Sequence, residues 1–112
     1  MKQIVVLGGG ISGYGSAILA KKKGFGVFLS DAGRIADRYK AKLDEWEVPY
    51  EEGGHTEERI LAATEVVKSP GIPDTAPMVR KIREAGIPAF TEYDSIGRAF
   101  KARKKFFAYL GR

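Results

Sequence analysis

The chain contains no cysteine, which removes disulfides, thiolate zinc sites and cysteine nucleophiles at once. Histidine is almost as scarce. The single one, His55, cannot build a metal site unaided. In the order Gly53, Gly54, His55, Thr56 it is expected to be an exposed turn residue or a local hydrogen-bonding group, because catalysis by imidazole needs an orienting partner that the sequence does not identify. No apolar stretch approaches the roughly 20 residues that cross a bilayer. The start lacks the charged, apolar, then small-residue order of a signal peptide, so a cytoplasmic protein without a membrane partner is expected. Also missing is any glycine loop closed by lysine and a hydroxyl residue, the cradle that would hold ATP and magnesium. There are no internal repeats, low-complexity segments or linkers, and 112 residues suit one domain, 1–112, with a single core. A hydrophobic content of 44% excludes a disordered chain.

What is present is concentrated near the start, in Lys2 to Gly15, KQIVVLGGGISGYG. The β-branched run Ile4 to Leu7 has the character of a strand buried on both faces. It leads directly into Gly8, Gly10 and Gly13, spaced GxGxxG. Gly8 allows the tight turn out of the strand, Gly10 lets a phosphate approach the backbone, and Gly13 lets the next helix pack closely on the sheet. That helix is expected over Ser16 to Lys23 with Ala17, Ile18 and Ala20 facing inward, ended by Gly24 after Lys21, Lys22 and Lys23. A second apolar run, Phe25 to Leu29, ends near Asp31, where such a βαβ unit holds a ribose hydroxyl. The free amides and dipole of the first helix favour an anion.

Further along, Ile35, Tyr39, Leu43 and Trp46 recur at helical spacing. Val48 to Glu51 is expected to be a short edge strand, since Pro49 suits an edge. A brief helix over Glu57 to Ala63 follows, with Thr56 as its cap. Glu65 to Lys68 reads as a fourth strand. Ser69, Pro70, Gly71, Ile72 and Pro73 then form a rigid loop that neither extends the strand nor starts a helix. Asp74 or Thr75 is expected to cap a helix with Met78, Val79, Ile82 and Ala85 inward. Ile87 to Phe90 is a fifth strand, followed by a helix capped by Thr91 or Asp94 and a strand over Lys105 to Leu110. This alternation predicts an α/β, Rossmann-like doubly wound parallel sheet of about five strands, order 3-2-1-4-5, with helices on both faces and right-handed crossovers. The loop at Ser69 should then face the same crevice as the glycine loop.

The combination GGGISGYGSA, LSD, VVKSPGIP and TEYDSIGR resembles the N-terminal domain of the Mur ligases, and within that family the D-glutamate-adding branch. The resemblance runs from Met1 to about Arg98, and SPGIP is its most specific part. It implies a domain that binds the UDP part of UDP-N-acetylmuramoyl-L-alanine in peptidoglycan synthesis and makes no bonds itself. By motif, Gly10, Ile11, Ser12 and Gly13 would hold the diphosphate. Asp31, Ala32 and Gly33 would meet the uridine, with Ser69, Pro70, Gly71 and Ile72 on its other side. Ala32 and Gly33 stand where relatives often carry a hydroxyl and a basic residue, which leaves backbone contacts there. The resemblance places ATP, magnesium and D-glutamate on further domains, which implies a truncated or excised chain that is inactive alone and needs no cofactor of its own. Three other readings compete: an NAD-binding oxidoreductase domain, a non-catalytic nucleotide sensor, and a nucleic-acid surface on the basic, aromatic tail from Arg98 to Tyr109. A solvated helix face followed by a strand explains that tail more simply, and no nucleic-acid partner is expected.

Overall fold

The computed structural model describes residues 2–91, with the side chain of Thr91 excluded; the expected last helix and the strand at Lys105 lie outside them. Five strands form one parallel sheet: β1 (Gln3–Leu7), β2 (Gly26–Asp31), β3 (Tyr50–Glu52), β4 (Glu65–Lys68) and β5 (Ala89–Thr91), in the order β3-β2-β1-β4-β5. Four helices connect them: α1 (Ile11–Lys22), α2 (Asp37–Glu45), α3 (Glu57–Leu61) and α4 (Pro77–Glu84). The expected α/β, Rossmann-like architecture and strand order are therefore observed.

Alternation along the strands sorts the core into two layers. Ile4 and Val6 of β1 face one side with Val27 and Leu29 of β2, where Ala17, Ala20 and Leu43 from α1 and α2 cover them. Val5 and Leu7 face the other side with Phe28, covered by Ile60 of α3 and by Met78, Val79 and Ile82 of α4. Central strands covered on both faces need continuous apolar runs, and β1 has one.

Several local expectations are corrected. The first helix begins at Ile11, five residues before Ser16, so the last fingerprint glycine sits inside it. Its inner stripe is Gly13, Ser16, Ala17 and Ala20, the i, i+3, i+4, i+7 spacing, which leaves Ile18 half-buried on the flank. Ile35 and Leu43 are buried as expected, but Trp46 is the C-cap of α2 and 38% exposed, with the Lys22 ammonium over its ring. The third strand starts at Tyr50, just after Pro49, whose carbonyl accepts from Leu29 N–H. The helix expected over Glu57 to Ala63 ends at Leu61, and the fifth strand begins at Ala89. Ala85 is exposed at the C-cap of α4. Neither Asp74 nor Thr75 caps that helix, which starts at Pro77 after Ala76. Proline suits the first helical position, and the Asp74 carboxylate is taken by Arg83 and Lys68 instead.

Candidate functional site

Because β1 and β4 are parallel neighbours with Leu7 opposite Lys68, the loops leaving them emerge at the same sheet edge. Gly8 leaves β1 at φ 99°, a conformation suited to glycine, and a Cβ there would lie 2.7 Å from the Ser69 Cβ. Ser69 N–H in turn donates to the Leu7 carbonyl. The two loops thus meet at their base and open into a crevice of about 550 Å³. Its wall includes Gly8, Gly9 and Gly10, Asp31 and Ala32 at the end of β2, His55, Ser69 and Ile72, with Ala76 and the α4 residues Pro77 to Val79.

Of the residues anticipated from sequence, Gly10, Asp31, Ala32, Ser69 and Ile72 line this crevice. Ile11, Ser12 and Gly13 form the first turn of α1, with Gly10 as its N-cap. The first intrahelical bond runs from Tyr14 N–H to the Gly10 carbonyl. The amides of Ile11, Ser12 and Gly13 therefore have no partner within the helix. The Ile11 side chain is 74% exposed beside them. Gly33, Pro70 and Gly71 are exposed outside the crevice wall.

Asp31 has a structural duty that its position alone did not reveal. Its Oδ2 accepts from Gly9 N–H at 2.7 Å and its Oδ1 from Gly33 N–H at 2.8 Å. One carboxylate thereby fastens the glycine loop to the end of β2. Gly53 N–H donates to the Gly33 carbonyl at 2.7 Å, tying in the turn that carries His55.

Lys68 was missed, although a cation closing an apolar strand is itself a signal. It is 5% exposed, and its Nζ donates to the Ile72 carbonyl at 2.6 Å and lies 3.7 Å from Asp74 Oδ1. A buried ammonium must find such partners, and here they come from the proline-stiffened loop, which it holds against β4. The hydrogen bond from Arg83, with the Lys68 charge nearby, keeps the Asp74 carboxyl below the usual range.

Of the two alternatives expected for His55 the structure shows the hydrogen-bonding one, in a half-buried ring, while the partners around it were missed. Ser30, fully buried on β2, lies opposite Glu51 in the β2–β3 register. Ser30 Oγ donates to Glu51 Oε2 at 2.8 Å and lies 2.6 Å from His55 Nδ1. Thr56 holds the N-cap position of α3 as expected, but its hydroxyl goes to Glu51 rather than to a helix amide, and its own amide donates there too, at 2.6 and 2.7 Å. Burial opposes ionisation of Glu51, but the Thr56 amide and hydroxyl and the Ser30 hydroxyl, with His55 nearby, hold its carboxyl below the usual range.

A depressed carboxylate stabilises the fold above its unfolded pKa, about 4.3 for glutamate, and loses that contribution as pH falls through its lower folded value. Glu51→Gln is therefore expected to cost about 1–2 kcal/mol at pH 7. The gap from the parent chain should narrow as pH drops below about 4. Urea melts at pH 7 and pH 3 check this; an equal gap at both would reject the role given to the charge.

A family model described as "Mur ligase MurD-like, N-terminal domain" matches residues 2–91. A protein named UDP-N-acetylmuramoylalanine--D-glutamate ligase from Bacteroides fragilis is 54% identical over 103 residues, 92% of this chain and 23% of that protein. The chain thus spans about a quarter of the length of that curated relative. Among solved structures, a pseudomurein peptide ligase type C from Methanothermus fervidus is similar at TM-score 0.72 and 25% identity, covering 84% of this chain and 20% of the other. UDP-N-acetylmuramate-alanine ligase from Thermotoga maritima aligns at TM-score 0.71 and 21% identity, over 93% of this chain and 24% of its own, a likeness of fold.

Proposed function

Since the chain belongs to the MurD-like N-terminal domain family of Mur ligases, we propose that it binds the uridine diphosphate part of UDP-N-acetylmuramoyl-L-alanine. In this reading it serves a cytoplasmic ligase that joins D-glutamate to that substrate with ATP in peptidoglycan synthesis. The observation that carries the reading is the pairing of three amides at the start of α1, which have no partner within the helix, with an adjoining crevice walled by Asp31, Ala32, Ser69 and Ile72. A diphosphate suits the amides and the positive end of the helix dipole, and Ser12 adds a hydroxyl donor. The nucleoside then lies in the crevice beside Ile72. Asp31, with both oxygens already bonded to backbone amides, acts first by holding the two loops in register. Its remaining lone pairs can accept from a ribose hydroxyl or a uracil N–H.

The amide-forming chemistry of such a ligase activates the substrate carboxylate as an acyl phosphate, which the amine of D-glutamate attacks. The role proposed for this chain is binding and orientation of the nucleotide end.

Thermal denaturation in the presence of UDP-N-acetylmuramoyl-L-alanine, UDP, NAD or a short oligonucleotide tests the assignment. A ligand at a hundred times its Kd adds about 2.7 kcal/mol, a shift of several degrees. Stabilisation is expected from the first two alone. A response to NAD without one to UDP would replace this reading with the dinucleotide one.

A further inference from the structure

Ser30 and Glu51 form a relay that ends on His55 in the wall of the crevice, and the assignment of a uridine nucleotide to that crevice gives the relay a use. A hydroxyl buried in a strand needs partners, and Ser30 takes both of its short ones from this relay. The hydroxyl has one proton to give. Glu51 is ionised and already accepts from Thr56, so it can only receive. The Ser30 proton therefore points to Glu51, and the 2.6 Å contact with His55 Nδ1 must be supplied by a proton on that nitrogen. In neutral imidazole this leaves Nε2 as an acceptor, and no described residue bonds to it.

The turn holding His55 is built for a fixed ring position. Gly53 and Gly54 adopt φ of 77° and 155°, and their amides bond to Gly33 and Asp31 carbonyls. The ring is thus indexed to the same segment that fastens the glycine loop. We propose that His55 contacts the ligand directly, its Nε2 accepting a hydrogen bond from the uridine, and that Ser30 and Glu51 are positioning residues that set its tautomer. Two donors on uridine have this chemistry: the imide N–H of uracil and a ribose hydroxyl. Cytosine presents an acceptor where uracil has its imide N–H, so a base contact would separate UDP from CDP, and a ribose contact would separate UDP from 2′-deoxy-UDP.

The test uses the 112-residue chain at pH 8. Nitrogen-15 NMR of the free protein should find the lone histidine with its proton on Nδ1, and UDP should shift the Nε2 resonance. His55→Phe should weaken UDP binding by tenfold or more in calorimetry while the variant still unfolds in one cooperative transition, at a somewhat lower temperature because Ser30 loses a partner. Ser30→Ala should move the proton toward Nε2 and lower affinity in parallel. Finding the proton on Nε2 in the free parent chain overturns the relay without needing any variant. UDP binding equally well to the parent chain and His55→Phe overturns the contact while leaving the nucleotide assignment intact. No UDP binding by the parent chain removes both.

Discussion

Replacing Gly13 by alanine should destabilise the domain by about 3 kcal/mol, lowering its melting temperature by roughly 10 °C or more. Helix propensity argues the other way, since alanine in a helix interior is favoured over glycine by about 1 kcal/mol. The decisive number is a distance: a Cβ at Gly13 would lie 1.9 Å from the Gly8 carbonyl oxygen and 2.9 Å from its carbon. Both are backbone atoms in the turn between β1 and α1, so no side chain can swing aside. Either the helix lifts from the sheet, exposing Ala17 and Ala20, or the turn at Gly8 deforms. Gly15 provides the control within the same helix, because it is exposed and a Cβ there meets nothing within 4 Å. Gly15→Ala should stabilise by about 0.5–1 kcal/mol. Urea unfolding of the two variants beside the parent chain checks the pair, and a Gly13→Ala variant as stable as Gly15→Ala would discredit the close contact.

Gly10→Val should give the reverse pattern: a folded protein that has lost UDP binding by a hundredfold or more. Gly10 is the N-cap of α1 with φ −75° and ψ −167°, extended backbone that valine adopts readily. Nothing lies within 4 Å of a Cβ built there. The added methyls would stand at the mouth of the crevice beside the free amides, where the diphosphate is proposed to sit. Calorimetric titration with UDP and a melting curve separate the two effects. Wild-type affinity in the folded variant would move the phosphate elsewhere, and loss of folding would mean that the position is not open. Two glycines three residues apart thus serve different ends, one for packing and one for access.

Much of the architecture was legible because it rests on short-range patterns. An apolar run into GxGxxG, alternating strands and helices, and glycine punctuation were enough for the sheet order. The Ser69 loop was correctly expected at the same edge as the glycine loop, since parallel neighbours bring their exits together. Helix boundaries were less secure: α1 swallowed its last glycine, and α4 started at Pro77 rather than at Asp74. At α4 a side-chain contact outweighed the local cap preference, since Asp74 was taken by Arg83. At α1 Gly13, close against Gly8, lies inside the first turn of the helix rather than before it.

The polar connections of the crevice were of another kind. Asp31 was visible as an acid at a strand end, yet its bond to Gly9 joins residues 22 positions apart. His55 was visible as a lone imidazole, but its partner Ser30 lies 25 positions away on a neighbouring strand. Periodicity and motif spacing report which faces are apolar and where the backbone turns, because those depend on residues a few positions apart. Which hydroxyl meets which ring, and which carbonyl receives a buried ammonium, depends on register between strands. Only packing the sheet settles that, so the sequence by itself determined the scaffold and the helix start beside the crevice, while the tertiary structure decided how the crevice is wired.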